Sequence, residues 1–187
     1  MKLLEGKTAI ITGASRGIGK GIAELFAKNG ANIAFTYASS VEKAAAFEKE
    51  LNANYGIKAK GFQSNAADFE GSQKLAEEVI AEFGTVHCLI NNAGIAHVGN
   101  IEAVEESDLD RLYQTNIKGV YNCVKACIPY MKSNKKGVIL NVGSIASSVG
   151  ISDRFAYSMT KGAVLTMTYS IAKDYVNEGI RCNSISP

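Results

Sequence analysis

Three residues of this sequence, Ser144, Tyr157 and Lys161, are of kinds that could together transfer a proton if the fold brings them close to one another. The tyrosine and the lysine are four positions apart, so on a helix both side chains would lie on one face. An ammonium beside a phenol stabilises the phenolate and lowers the tyrosine pKa from about 10 towards neutral pH, where a general acid or base works best. Such a pair also occurs by chance on exposed helices, so the rest of the sequence must decide.

The composition is that of one globular domain without a strong field of either sign. The chain has 187 residues, 47% of them hydrophobic, and a net charge of +2. This balance favours neither nucleic acid nor an anionic membrane as a partner. The sequence contains no membrane-length apolar stretch and no signal peptide, so we expect a cytoplasmic protein. The cysteines lack metal-ligand spacing, which predicts reduced, mostly buried thiols and no metal site: Cys88, Cys123, Cys127 and Cys182.

Short β-branched or apolar runs alternate with longer amphipathic segments along the sequence. The runs predict strands at Thr8–Thr12, Asn32–Tyr37, Lys58–Gln63, Val86–Ile90, Val138–Val142 and Ile180–Ile185. The segments predict helices at Gly17–Asn29, Val41–Asn54, Phe69–Phe83, Ser107–Lys132 and Phe155–Asn177. Glycines stand where helices should stop, at Gly30, Gly56, Gly84 and Gly179. The alternation predicts an α/β fold with a doubly wound parallel sheet, whose ligands bind at the carboxyl ends of the strands.

A glycine-rich turn follows the first predicted strand and opens directly into a helix. Its sequence, at positions 12–19, is Thr-Gly-Ala-Ser-Arg-Gly-Ile-Gly. Glycines remove side chains that would keep a pyrophosphate away from the free amides of a helix N-terminus. The turn therefore predicts a dinucleotide site, and the alternative is a tight turn that binds nothing.

Combined with Asn-Asn-Ala-Gly at positions 91–94, this Gly-x-x-x-Gly-x-Gly spacing resembles the short-chain dehydrogenase/reductase family. The resemblance runs from Gly6 to Pro187. It implies a Rossmann-like single domain with six of the family's seven strands, so that the sequence would be truncated at its C-terminus and would lack the family's substrate lid and last strand. It also implies that Asn116 interrupts the long helix and holds a water. The implied catalytic tetrad is Asn116, Ser144, Tyr157 and Lys161.

The resemblance assigns each tetrad member a role in reducing a ketone with a dihydronicotinamide. Tyr157 would protonate the developing alkoxide, and Ser144 would hold the carbonyl oxygen. Lys161 would lower the tyrosine pKa and bind the nicotinamide ribose. Ser147 and Ser148 are neighbouring candidates for the catalytic serine, and Ser144 is preferred by its spacing.

The end of the second strand predicts NADP, with NAD as the less favoured cofactor. An acid there would bind the adenosine ribose of NAD, but no carboxylate appears before Glu42. Arg16 and the hydroxyls of Ser39 and Ser40 favour a 2′-phosphate, unless Arg16 is only a solvent-facing charge. The predicted cofactor-binding residues are Gly13, Ser15, Arg16, Gly17, Ile18, Gly19, Tyr37, Ser39, Ser40, Asn65, Ala66, Asn92, Ala93, Gly94, Tyr157, Lys161 and Pro187.

Within the family, residues 4–13, the turn that contains Arg16 and the Ser39–Ser40 region look most like bacterial 3-oxoacyl-(acyl-carrier-protein) reductases of fatty acid biosynthesis. Lysines that could then meet the acidic carrier protein are Lys132, Lys135, Lys136 and Lys173, although a run such as that at 132–136 is more often a solvated helix end than a docking patch. The loop at 95–101 instead resembles dehydrogenases of sugars, polyols or steroids. In that loop His97 could touch substrate, although a loop histidine without a paired carboxylate is more often exposed. The alternative of another class is a nucleotide-binding fragment without turnover.

The two long predicted helices carry more apolar residues than one buried stripe needs. These residues include Tyr113, Val120, Tyr121, Val124, Leu165, Met167 and Tyr169. Relatives in the family use the equivalent helices to form dimers and tetramers, so we expect a homo-oligomer.

Overall fold

A single sheet of parallel strands runs through the protein. The structure is a computed structural model that describes residues 2–187. The strands are β1 (Thr8–Ile11), β2 (Asn32–Tyr37), β3 (Ala59–Gln63), β4 (Cys88–Asn91), β5 (Gly137–Val142) and β6 (Ile180–Ile185). They lie in the order β3-β2-β1-β4-β5-β6, with every neighbouring pair parallel. The predicted doubly wound parallel sheet is confirmed.

Helices cover both faces of this sheet. They are α1 (Gly17–Lys28), α2 (Val41–Tyr55), α3 (Phe69–Phe83), α4 (Glu106–Leu112), α5 (Gly119–Ser133) and α6 (Phe155–Tyr175). One core packs α1 and α2 against the sheet, and a second core packs α3, α5 and α6 against the other face. Side chains alternate along a strand, so Ile10 enters the second core while Ala9 and Ile11 enter the first. All four residues of β1 are buried, because neither face of a central strand meets water.

The strand order reverses in direction between β1 and β4, at the centre of the sheet. The backbone leaving β1 enters α1 on one face, whereas the backbone leaving β4 leads to α5 on the other. Segments that depart to opposite faces leave a crevice above the carboxyl ends of the two strands. The glycine-rich turn and residues 91–94 border this crevice, and the candidate site lies there.

The long helix that the apolar pattern predicts at Ser107–Lys132 is not continuous, and its interruption contains Asn116, as the family resemblance implies. A π-helical segment at Tyr113–Lys118 separates α4 from α5. The segment contains Asn116, whose buried side chain bonds to the loop after β4, and single-turn π-helical segments of this kind are frequent at functional sites. Elsewhere the predicted ends differ by a few residues. The glycines predicted to end helices all have positive φ: Gly30, Gly56, Gly84 and Gly179.

The four cysteines are buried and unpaired with one another, as predicted. Burial raises the pKa of the Cys123 and Cys182 thiols to about 11. These groups therefore remain protonated at neutral pH. Among residues 2–187, no helix has the length and apolar character that crossing a membrane requires.

Candidate active site

Three of the predicted catalytic side chains meet at the carboxyl end of β5. Ser144 follows β5 after one glycine, while Tyr157 and Lys161 lie in the first two turns of α6. All three line a cleft of about 260 Å³, which we call the inner cleft. Pro187 and Ala96 also line it. The fold therefore brings a hydroxyl, a phenol and an ammonium to one small volume.

Ser144 is held by a short helical turn that begins directly after it. Its Oγ accepts a hydrogen bond from the backbone N–H of Ala146 (3.2 Å), and the Ser147 Oγ accepts one from the backbone N–H of Ser144 (3.3 Å). These reciprocal bonds form a capping box at Ile145–Ser147. Ser147 thus supports Ser144, while the exposed Ser148 bonds the local backbone. Of the three serines, Ser144 lines the inner cleft.

Lys161 is buried beside Tyr157. The Lys161 side chain is 7% exposed, and its Nζ donates to the Val142 carbonyl at 2.7 Å. The same Nζ lies 5.8 Å from the centre of the Tyr157 ring. Burial lowers the pKa of the Lys161 ammonium below its usual value of 10.5, because a charge is poorly solvated there. The pair thus places a positive charge next to a phenol in a site of limited water access.

Asn116 ties the π-helical segment to α6 and to the loop after β4. Its Oδ1 accepts from the Ile95 N–H at 2.8 Å, and its Nδ2 donates to the Ile95 carbonyl at 2.9 Å. The same Nδ2 donates to the Thr160 Oγ1 at 3.0 Å. A Cβ added at Gly94 would lie 3.3 Å from Asn116 Oδ1 and 3.7 Å from Lys161 Nζ. Asn116 and Lys161 therefore approach each other at a point that glycine keeps open.

A second cleft, of about 410 Å³, lies over the glycine-rich turn, and we call it the outer cleft. It adjoins the inner cleft, because Ile18, Asn92 and Gly94 line both. The predicted cofactor residues that line it are Gly13, Ser15, Arg16, Gly17, Ile18, Tyr37, Asn65, Ala66, Asn92, Ala93 and Gly94. The predicted contacts Tyr157, Lys161 and Pro187 line the inner cleft instead. Gly13 and Gly17 have φ of 63° and 58°, in the region that favours glycine. Because neither residue has a side chain, the backbone of the turn is open to a ligand in the outer cleft. The paired clefts fit an elongated dinucleotide.

Three predicted cofactor residues do not line either cleft. Gly19 is buried, and a Cβ there would come within 2.4 Å of the Asn92 Nδ2. That amide donates to the carbonyls of Thr12 (2.8 Å) and Gly13 (3.1 Å), so Gly19 serves the packing of α1 against the turn. Ser39 and Ser40 are exposed at the start of α2, beyond the walls of the outer cleft.

Two threonines support the glycine-rich turn, and the sequence reasoning missed their roles. The Thr12 Oγ1 accepts from the backbone N–H groups of Asn92 (3.0 Å) and Ala93 (2.9 Å), linking β1 to the loop after β4. The Thr36 Oγ1 accepts from the Gly13 N–H at 3.0 Å. A buried threonine at the end of each central strand was the available signal, because a hydroxyl there must find a partner.

The expectation for His97 is wrong, because the residue does have a carboxylate partner. Its Nε2 lies 3.2 Å from the Oδ2 of Asp108, and its side chain is 15% exposed. The Arg111 guanidinium lies 3.2 Å from the other Asp108 oxygen. Asp108 is not a neighbour of His97 in sequence. The fold of the loop between them brings the two side chains together.

The lysines expected to meet a carrier protein line neither cleft, so the structure gives that expectation no support. Lys135 and Lys136 precede β5, whereas Ser144 follows it. These lysines therefore lie at the amino ends of the parallel strands, and Ser144 lies at the carboxyl ends. Lys132 pairs with Glu178 at 3.3 Å near the same amino ends. Lys173 is in the last turn of α6, at the end remote from Tyr157.

Comparison with known proteins agrees with this geometry. Residues 7–187 match the family model described as short chain dehydrogenase. The chain is 38% identical to the 3-oxoacyl-[acyl-carrier-protein] reductase FabG of Staphylococcus aureus, over 97% of this chain and 73% of that protein. It is 39% identical to an uncharacterized oxidoreductase of Thermotoga maritima, over 98% of this chain and 71% of that protein.

Among solved structures, an NAD+-bound xylitol dehydrogenase superposes with a TM-score of 0.95 at 28% identity, covering 100% of this chain and 71% of that one. The family model and the six-stranded parallel sheet thus indicate the same fold, and both extend over almost the whole sequence. The chain belongs to the short-chain dehydrogenase/reductase family, whose members are oxidoreductases that use a nicotinamide cofactor and act on CH–OH or keto groups.

Proposed function

We propose that this protein reduces a ketone with NADPH, and that its substrate is a 3-oxoacyl thioester carried by acyl carrier protein. The observation that carries the proposal is the inner cleft, in which Ser144, Tyr157 and the buried Lys161 meet. The similarity to a reductase of such thioesters supports the substrate. A bound dihydronicotinamide would supply the hydride, and the protein's own residues would handle the oxygen and the proton.

In this proposal Ser144 binds the substrate carbonyl oxygen. Its Oγ already accepts a hydrogen bond from the Ala146 N–H, which fixes the oxygen and leaves the hydroxyl proton free to be donated. A donor held in place before the reaction stabilises the negative charge that develops on that oxygen. Ser144 therefore acts as the preorganised hydrogen-bond donor of the site.

Tyr157 protonates the same oxygen, and Lys161 supports that transfer with its positive charge. The ammonium lies 5.8 Å from the centre of the Tyr157 ring, where its charge offsets the negative charge that the departing proton leaves behind. The bond from Nζ to the Val142 carbonyl holds the ammonium at this place. The Asn116 region completes the route by which the proton is replaced, because its amide reaches the same point beside Gly94.

The outer cleft supports NADP as the cofactor. Arg16 lines that cleft, and within residues 2–187 it forms no ion pair with a carboxylate, so its charge is available to a phosphate. No acid follows β2 before Glu42 to repel a 2′-phosphate. The xylitol dehydrogenase of similar fold binds NAD+, so the two cofactors must be compared directly.

The cofactor test is kcat/KM for NADPH and NADH in wild type and Arg16→Ala. We expect NADPH to be preferred, and the variant to lose about tenfold or more in kcat/KM for NADPH with little change for NADH, because one charge-assisted hydrogen bond is lost. Lys28→Ala, at the exposed far end of α1, is the matched control. Equal use of both cofactors by wild type would contradict the NADP assignment.

Exposed apolar side chains favour an acyl substrate over a sugar or polyol. They lie on the three segments that contribute Ala96, Ser144 and Tyr157 to the inner cleft. These side chains are Val98, Ile101, Ile145, Val149, Ile151, Phe155 and Met159. Apolar surface of this kind suits a hydrocarbon tail and offers few partners to hydroxyl groups.

The substrate test is a panel of acetoacetyl thioester, a polyol and a steroid alcohol, each with both cofactors. We expect NADPH-dependent reduction of the thioester to be the fastest reaction. Faster oxidation of the polyol or the steroid would replace the proposed substrate with the alternative. Tight NADPH binding without turnover of any substrate would favour a nucleotide-binding module and contradict the proposed enzyme.

We also propose that the protein forms a homo-oligomer through α5 and α6. A groove of about 900 Å³ runs between these helices and is lined by Tyr121, Ile128, Met167 and Ile171. Tyr121 and Tyr169 are exposed, and the mostly buried Val124 also lines the groove, whereas Val120 belongs to the core alone. A mostly apolar groove of this size favours coverage by a second copy, as the family resemblance implies.

A further inference from the structure

His97 occupies a position that the proposed chemistry does not use. Its Nδ1 is buried and makes no hydrogen bond within residues 2–187, while its Nε2 contacts Asp108 of α4 at 3.2 Å. An unsatisfied buried polar atom costs stability, and an apolar side chain would avoid that cost. The contact with Asp108 is therefore the reason why a histidine, and not an apolar residue, suits position 97.

The His97 ring lies directly against Gly99. A Cβ added at Gly99 would approach the His97 Cε1 to 2.9 Å, so the ring and the glycine backbone are in close contact. Gly99 donates its N–H to the Asp153 carbonyl at 2.8 Å and accepts from the Phe155 N–H at 3.2 Å. These two bonds fasten the loop at 95–101 to the segment that leads into α6.

The fastened segment is under backbone strain. Asp153 has φ of 55°, in the left-handed region that a residue other than glycine adopts only at a cost in free energy. The bond from the Gly99 N–H to its carbonyl helps to hold this conformation. Tyr157 follows four residues later, in the first turn of α6. Any shift of the loop against residues 153–155 would therefore reach the phenol.

We propose that His97 is a positioning residue for Tyr157: seated against Gly99 and held by Asp108, it fixes the loop at 95–101 to the segment that begins α6. Ala96, which precedes His97 in the same loop, is part of the wall of the inner cleft. His97 itself does not line either cleft, so it acts through the position of other groups. The kinetic part of this inference rests on the proposed function.

The kinetic experiment compares His97→Ala with His97→Gln in NADPH-dependent reduction of acetoacetyl thioester. We expect kcat to fall about tenfold in His97→Ala, since a small misplacement of a catalytic group has effects of this order or more. The dissociation constant of NADPH should change less than about twofold, because His97 is not part of the outer cleft. His97→Gln keeps an N–H donor for Asp108 and should recover most of kcat.

Two further variants separate positioning from general stability. Asp108→Asn keeps the size of the partner side chain, removes its charge and should lower kcat in the same direction as His97→Ala. It carries the test if His97→Ala does not fold. Arg111→Ala removes the exposed second partner of Asp108 and should leave kcat unchanged. A lower Tm in His97→Ala with unchanged kcat would overturn the proposal, as would the absence of any recovery in His97→Gln.

Amide hydrogen exchange provides a readout that does not depend on turnover. In His97→Ala the Gly99 and Phe155 amides should lose protection relative to wild type, while His97→Gln retains it, because these two amides make the bonds between the loop and α6. Unchanged protection of both amides in His97→Ala would overturn the inference. If wild type does not reduce the thioester, the proposed function fails while this exchange experiment still decides the role of His97.

Discussion

Replacing Asn116 with alanine tests how strongly the π-helical segment is tied to the site. Asn116 is 1% exposed and makes three hydrogen bonds, two to the Ile95 backbone and one to Thr160. A bond of this kind contributes about 1 kcal/mol net, so the loss of all three predicts a fall of about 3 kcal/mol in the free energy of unfolding. Since Ile95 lines both clefts, kcat should fall as well.

The assay is urea unfolding followed by circular dichroism, with linear extrapolation to zero denaturant. Asn134→Ala is the matched control, because Asn134 is exposed and makes one side-chain bond, to Thr85. That control should change the free energy of unfolding by less than about 0.5 kcal/mol. A loss of under about 1 kcal/mol in Asn116→Ala, or a loss equal to that of Asn134→Ala, would refute the reasoning.

Three more predictions concern charge and assembly. Lys161→Met should abolish turnover and raise the free energy of unfolding by about 1 kcal/mol, because it removes a buried ammonium that has no carboxylate partner within residues 2–187. The folded pKa of Lys161 lies below the unfolded value of 10.5, so wild type should gain stability relative to this variant as pH rises through that window. Lys58 and Lys60 lower the Glu82 pKa to about 2, so Glu82→Gln should be less stable than wild type near pH 6 and should converge with it as pH falls towards 2. Met167→Glu places a charge in the groove between α5 and α6 and should convert an oligomer to a monomer in sedimentation velocity.

Each of these three predictions has a result that contradicts it. A Lys161→Met protein less stable than wild type at neutral pH would mean that the bond to Val142 outweighs the cost of the buried charge. If the stabilities of wild type and Glu82→Gln differed by the same amount at every pH between 6 and 2, the ion pairs of Glu82 with Lys58 and Lys60 would not be a source of stability. A wild-type monomer at micromolar concentration would contradict the proposed assembly.

Local patterns explain why the fold and the shared cleft of Tyr157 and Lys161 were predictable from the sequence. β1 is buried on both faces, so it reads as a continuous apolar run, and the glycine-rich turn follows it without a break. The spacing of Tyr157 and Lys161 needs only one helix to place both side chains on the same cleft. These features depend on neighbours in sequence.

The features that sequence reasoning missed depend on contacts between distant segments. The interruption at Asn116 was indicated only by the family resemblance, because helical periodicity does not predict the bonds from Asn116 to Ile95 and Thr160. The pairing of His97 with Asp108 requires the path of the loop between them. The family resemblance suggested Lys136 as a contact for a carrier protein, although its place just before β5 puts it at the end of that strand opposite to Ser144. Fold topology, and not composition, decides which surface a charge occupies.

The rate of hydride transfer in a single turnover of NADPH-bound Tyr157→Phe with acetoacetyl thioester tests the proposed proton donor most directly. We predict a fall of about 100-fold or more with an unchanged dissociation constant for NADPH, because the variant loses its general acid and keeps the outer cleft. Tyr169→Phe, on the exposed side of the same helix, should transfer hydride at the wild-type rate. A Tyr157→Phe rate within about threefold of wild type would contradict the assignment of Tyr157 as the proton donor.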